Sequence, residues 1–279
     1  MHPAPFQLIA TSGDESPVVV EIPHAGTDVP SQFLSTLVAP ARALGRDADL
    51  HVDALYADAV DAGASVLVAR VSRYVIDLNR GEADVDADIV ENGPQAPRYN
   101  HGLVWRATSD GERALLRPLT RIELEDRLDS VYRPYHRALA TELARKRRKF
   151  GVAVLLAAHS MPSVGRSTGG APGLARADVV PGTRGRTTAA LALIDAVDAS
   201  ARARNWSVRH DDPYAGGYST QYYGRPDAGV HAVQVELSRR LYLDEATLAP
   251  RAPEFDDVRA WCKDLVATLG RAALTLARA

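Results

Sequence analysis

Short apolar runs of strand length alternate along this chain with amphipathic stretches of helix length, and this alternation constrains the fold more than any other feature. The runs lie at 17–22 (PVVVEI), 64–71 (ASVLVARV), 74–78 (YVIDL), 152–158 (VAVLLAA), 206–210 (WSVRH) and 232–237 (AVQVEL), and they favour residues that suit a pleated, buried surface. Within 48–62, Val52, Leu55, Tyr56, Ala59 and Val60 recur at the spacing of one helix face. Residues 120–149 repeat that stripe through Ile122, Leu128, Val131, Tyr132, Tyr135, Leu139 and Leu143, with Pro134 expected to kink the helix. Residues 187–204 and 254–278 are alanine-rich helical candidates. Strands alternating with helices predict an α/β layered domain with a largely parallel or mixed sheet and helices on both faces. No repeat or linker divides the 279 residues, so a single domain over 1–279 is expected.

Charge narrows the function classes. With 33 basic against 35 acidic residues the chain has a formal net charge of −2, which provides no overall field for a nucleic acid. The most basic run, RKRRK at 145–149, falls at the end of a predicted helix, where cations favour the C-terminal dipole, and it reads as a solvated helix end. One cysteine, Cys262, allows neither an intrachain disulfide nor a cysteine-based metal site. The first residues lack the basic start and apolar run of a signal peptide, and no segment approaches the ~20 apolar residues that span a bilayer. A soluble, cytoplasmic protein without membrane partners is the expectation.

Two long segments depart from the alternation: 80–117, rich in Gly, Pro, Asp and Asn, and 160–186, which contains SVGRSTGGAPG. Loops of that length in a compact domain are usually functional or mobile, and a lid or substrate wall is expected of them. Their glycines match neither a phosphate loop nor a strand-linked dinucleotide fingerprint.

Polar residues gather where the apolar runs stop. The first run leads through Pro23 to His24 beside Gly26; YVIDLNR delivers Asp77, Asn79 and Arg80; VAVLLAAHS delivers His159 and Ser160; AVQVELSR delivers Glu236. In open α/β sheets, ligands bind beyond the carboxyl ends of the strands, so these groups can converge on one crevice. Two histidines on separate strands plus a carboxylate suit a catalytic zinc ion, and a further carboxylate can accept a proton from water. No GxSxG elbow surrounds Ser160, which disfavours a serine hydrolase. The residues alone point to a metal hydrolase.

The stretches VVVEIPHAGTDVP, RYVIDLNR, AAHSMPS, DDPYAGGYSTQYYGRP and GVHAVQVELSRRLYLDE resemble the N-formylglutamate amidohydrolase family, distant relatives of zinc carboxypeptidases and aspartoacylases. The resemblance spans about 17–245 in patches. It implies a three-layer αβα fold with a mixed, largely parallel central sheet, similar to the zinc carboxypeptidases (phosphorylase/hydrolase-like). It further implies one zinc ion per chain, with His24 and His159 as histidine ligands. RDADLHVD corresponds to the family's acidic motif, which favours Asp49 as the third ligand over Asp53, Asp28 and His51. Asn79 and Arg80 resemble the pair that holds a substrate carboxylate, and Asp77 is expected to orient a ligand histidine or Arg80 rather than act on substrate. Glu236 resembles the family's general base; without that role, an ion pair to Arg239 or Arg240 accounts for it. The tyrosine-rich stretch then reads as a substrate loop, with Tyr218 and Arg225 as contacts.

The implied activity is zinc-dependent hydrolysis of an N-formyl or similar small N-acyl amino acid, N-formyl-L-glutamate first, yielding formate and L-glutamate. The same machinery also suits another acyl amino acid or a peptide end, and a non-catalytic binding relic is the reading outside enzymes. Relatives in histidine degradation carry basic residues where Ala215 and Gln221 stand here, so recognition of a second substrate carboxylate is expected to differ.

Overall fold

In the computed structural model, which describes residues 4–11, 13–91, 93, 101–165 and 173–278, short strands and helices follow one another as the patterning implies. The order is β1 (Phe6–Ile9), β2 (Val18–Ile22), α1 (Ser31–Leu34), α2 (Ala41–Asp47), α3 (Val52–Leu55), β3 (Ser65–Ala69), α4 (Arg121–Arg127), α5 (Arg133–Phe150), β4 (Ala153–Met161), β5 (Val179–Gly182), α6 (Leu191–Arg202), α7 (Tyr218–Tyr223), β6 (Val230–Ser238) and α8 (Glu254–Leu276). The strands form one six-stranded sheet in the order β1-β3-β2-β4-β6-β5. β2 pairs with β4 and β4 with β6 in parallel, while β5 runs antiparallel to β6, so the fold is α/β with a mixed sheet.

The chain divides into two compact units, one of residues 1–8, 23–50 and 67–140, the other of 9–22, 51–66 and 141–279. The first is largely irregular and packs Ala43, Tyr74, Trp105 and Ala114 in one cluster and Ile89, Val90, Val104, Leu115 and Leu119 in another. Buried backbone without a ladder needs partners elsewhere. Arg127 supplies them: its guanidinium lies over the Phe33 ring and donates to the Val75 and Glu123 carbonyls and to the Thr36 hydroxyl. The second unit holds the regular layers. Val18 of β2 lies against α8, where a Cβ on Gly270 would stand 3.8 Å from its Cγ2. Glu21, of opposite parity on the same strand, instead accepts a hydrogen bond from Ser219 of α7.

Several local expectations fail. YVIDL is buried but forms turns, with Val75 N–H bonded to the Ser72 carbonyl and Asp77 N–H to that of Leu103. Its apolar content reflects burial, not sheet pairing. WSVRH makes only an isolated bridge, Val208 to Val179. The helix expected at 48–62 breaks into α3 and a 3₁₀ turn over Ala57–Val60. Pro134 lies in the first turn of α5, directly after a π-helical turn, Leu128–Tyr132, which takes up the irregularity that a residue without an N–H imposes. Lys146, within RKRRK, is fully buried, its ammonium bonded to the Ser16 carbonyl and paired with Glu15, so that run is not simply a solvated helix end. Residues 92, 94–100 and 166–172 of the two expected loops lie outside the described residues.

Candidate metal centre

His24 is placed by a strand that ends and a turn that tolerates no side chain. Pro23 terminates β2, and at Gly26 a Cβ would lie 2.3 Å from the Arg70 carbonyl, so only glycine lets the two backbone segments meet. The His24 carbonyl accepts from Asp49 N–H (2.9 Å), which brings the Asp49 side chain to the same ring: Nδ1 to Oδ2 is 3.6 Å.

The other ring nitrogen, Nε2, donates to Asp77 Oδ1 at 2.7 Å. Asp77 also accepts from Arg73, Trp105 Nε1 and the Asn79 backbone N–H. Because Asp77 takes the Nε2 proton, the Arg73 guanidinium, 3.2 Å from the same nitrogen, is held by the carboxylate and by stacking over Trp105 (4.3 Å) rather than by the ring. Burial alone would raise the Asp77 pKa. The facing His24 ring, with its hydrogen bond, and the Arg73 guanidinium outweigh burial and hold the carboxyl well below its usual range. A carboxylate behind a histidine fixes its tautomer and aims the opposite nitrogen, the arrangement found behind metal-bound imidazoles.

His159 comes from β4 and Glu236 from β6, and the parallel register makes them neighbours, as it does Ala157 with both Gln234 and Glu21. In-register residues share a face, so Glu21, His159, Gln234 and Glu236 form one polar row, all buried. Gln234 Nε2 donates to Glu236 Oε1 at 3.0 Å, and Gln234 Oε1 accepts from Gly217 N–H at 2.9 Å. Arg240, one partner considered for Glu236, instead pairs with Asp178.

Among the described residues, His24, Asp49 and His159 form a buried group whose ligand atoms all lie within 4.8 Å of one another. Two imidazoles and one carboxylate with an oriented histidine fit a zinc ion that keeps a position for water. The lesser ligand candidates stand apart from this group. Asp53 is exposed on α3, Asp28 joins a backbone bridge to Val71, and His51 contacts the Leu248 carbonyl and the Phe255 ring.

The candidate substrate residues occupy two settings. Asn79 is buried, and Arg80, whose Nε donates to the His101 carbonyl (2.8 Å), has its own carbonyl held by the Tyr132 hydroxyl (2.8 Å). Tyr218 opens α7 and stacks on Tyr222. Arg225 Nη1 donates to the Gln221 and Gly224 carbonyls, closing the end of that helix. Arg73, Trp105, Glu21 and Gln234 escaped the reading of the sequence. For Glu21 and Gln234 a signal existed, since each is a polar residue inside a β-branched run, the criterion that singles out Glu236. Trp105 sits in an irregular segment and carries no such signal.

A family model described as N-formylglutamate amidohydrolase matches residues 16–243. The chain is 36% identical over 260 residues to an N-formylglutamate deformylase of Pseudomonas aeruginosa, covering 91% of this chain and 92% of that one. It is 34% identical over 234 residues to a protein of the same name from Pseudomonas putida, covering 82% of each. The crystal structure of an N-formylglutamate amidohydrolase from Ralstonia eutropha superposes with a TM-score of 0.82 at 32% identity, over 99% of this chain and 98% of the other.

Proposed function

The chain belongs to the N-formylglutamate amidohydrolase family, and from that premise we propose that it is a zinc-dependent amidohydrolase of a small N-acyl amino acid, N-formyl-L-glutamate in the first place. The observation that carries the reading is the buried group of His24, Asp49 and His159, with Glu236 beside His159 in register on the next strand. We read residues 1–279 as one catalytic domain of the zinc-carboxypeptidase type.

In this reading His24, Asp49 and His159 hold the metal. A bound zinc ion supplies Lewis acidity, polarising an acyl oxygen and acidifying a water. Glu236 accepts a proton from the attacking water and returns one to the departing amine nitrogen, so that the C–N bond breaks with formate and an amino acid as products. Asp77 keeps His24 in the tautomer that presents Nδ1. Arg80 and Asn79 hold the α-carboxylate of the substrate, the planar guanidinium acting as the geometric clamp. Tyr218 and Arg225 line the side-chain end.

The test is a substrate panel of formyl, acetyl and succinyl derivatives of Glu, Gln and Asp with the purified protein, alongside metal analysis. Stoichiometric zinc and release of formate from N-formylglutamate are expected. Zinc-loaded protein that cleaves a different acyl amino acid would change the substrate, and protein that neither retains zinc nor cleaves any member of the panel would overturn the reading.

A further inference from the structure

One peptide group beside α7 makes two hydrogen bonds to different parts of the fold. The Gly216 carbonyl accepts from Arg184 Nη1 at 3.0 Å, and the N–H of the same peptide, on Gly217, donates to Gln234 Oε1 at 2.9 Å. Gln234 passes the connection on, since its Nε2 donates to Glu236 Oε1 at 3.0 Å. The amide cannot be turned over: the flipped rotamer would set Nε2 against an N–H and Oε1 against a carboxylate oxygen. Gly216 has φ +104°, a backbone conformation that side chains resist, and Arg184 is itself left-handed at φ 50°. Three successive N–H groups, of Thr183, Arg184 and Gly185, converge on the Asp211 carboxylate and hold that turn. Unfavourable backbone held by so many partners is characteristic of segments that must present a group in one place.

We propose that Gln234 is a positioning residue: it locks one oxygen of Glu236 and ties it to the Gly216–Gly217 peptide, so that the candidate base and the tyrosine-bearing helix α7 are set by a single chain of hydrogen bonds ending at Arg184. The inference rests on the reading of Glu236 as the general base. Gln234 is buried and neutral, so it can donate to a carboxylate and accept from a backbone N–H without adding a charge. A base anchored through one oxygen keeps its second oxygen in a defined direction, which is the geometric requirement on proton transfer.

Two variants separate the halves of the role. Gln234→Glu retains an acceptor for Gly217 but replaces the neutral amide donor to Glu236 by a carboxyl group that competes with the base for a proton, whereas Gln234→Met removes both bonds at similar volume. Hydrogen exchange of the Gly217 amide, followed by NMR, should be at least tenfold faster in Gln234→Met and within threefold of the wild type in Gln234→Glu. With N-formylglutamate, kcat should fall ~10–100-fold in both variants, with KM within threefold and zinc content unchanged. Unaltered exchange in Gln234→Met, or kcat within twofold of the wild type in Gln234→Glu, would overturn the proposal. Should Gln234→Met not fold, Gln234→Glu still decides, since kcat lowered across the whole pH profile with an intact Gly217 bond supports the role, whereas kcat that is unchanged, or that recovers to the wild-type value at a displaced pH optimum, refutes it. Should the wild type cleave no acyl amino acid, the proposed function fails, while the exchange measurement still decides whether Gln234 holds the peptide.

Discussion

Asp77 shows how much of the site rests on one side chain that is not itself in the ligand group. Its two oxygens collect His24 Nε2, Arg73, Trp105 Nε1 and the Asn79 N–H, so one carboxylate orients a candidate ligand and the start of the Asn79–Arg80 pair together. Asp77→Asn would replace one acceptor by a donor and release the His24 tautomer. Zinc affinity, measured by competition with a chromophoric chelator, should fall ~10–100-fold, and an unchanged affinity would remove Asp77 from the metal site. Glu236→Gln makes the complementary bet. It keeps the shape of the polar row and the contact with Gln234 while removing basicity, so kcat should fall ~10²–10⁴-fold with zinc retained. Activity within a few fold of the wild type would make Glu236 structural.

At the scale of elements, the π-helical turn before Pro134 is tied to the segment that carries Arg80. From it Tyr132 reaches the Arg80 carbonyl, and His136, one turn on, hydrogen-bonds the Leu78 backbone. Burial lowers the His136 pKa from 6.5 to about 4, against the smaller opposing effect of that hydrogen bond. Between these values the unfolded chain binds the proton and the folded one does not. This contribution to stability is therefore complete above pH 6.5 and is lost as the pH falls toward 4, by on the order of 3 kcal/mol. Urea denaturation at pH 7.5 and 4.5 should show a smaller acid loss for His136→Phe than for the wild type, and equal losses would mean that His136 is not the titrating group. The turn around Gly26 is a second constraint at this scale. Gly26→Ala places a Cβ against the Arg70 carbonyl and should lower stability by roughly 2 kcal/mol or more, read as a reduced urea midpoint, because backbone has to move.

For the whole molecule, a metal that binds the native chain alone is a stabilising ligand. His24, Asp49 and His159 are separated by 25 and 110 residues and meet only on folding, so the unfolded chain offers no comparable site. At free zinc about 1,000-fold above the dissociation constant the gain is about 4 kcal/mol, and the melting temperature should drop by several degrees on adding a chelator and recover with zinc. A Tm indifferent to both would argue against a zinc site. No described helix is long and apolar enough to cross a membrane.

What the sequence determined by itself was whatever repeats locally or occurs as a contiguous motif. The β-branched runs that became β2, β4 and β6, the long helices α5, α6 and α8, His24 after β2 and His159 near the end of β4, and membership of the family were all legible, because strand and helix periodicity are written in spacing along the chain. YVIDL misled because a buried irregular segment carries the same apolar composition as a strand, and only its hydrogen-bond partners tell the two apart. Several carboxylates in and near RDADLHVD can chelate; the backbone bond from Asp49 to the His24 carbonyl brings that one to the ring. Trp105 and Arg73 around Asp77, and the link from Glu236 through Gln234 to Gly217, likewise depend on partners distant in sequence or on a strand register that local patterning does not contain. Tertiary structure decided these because a hydrogen bond requires two groups to meet within about 3 Å, and that condition is set by packing and not by spacing along the chain.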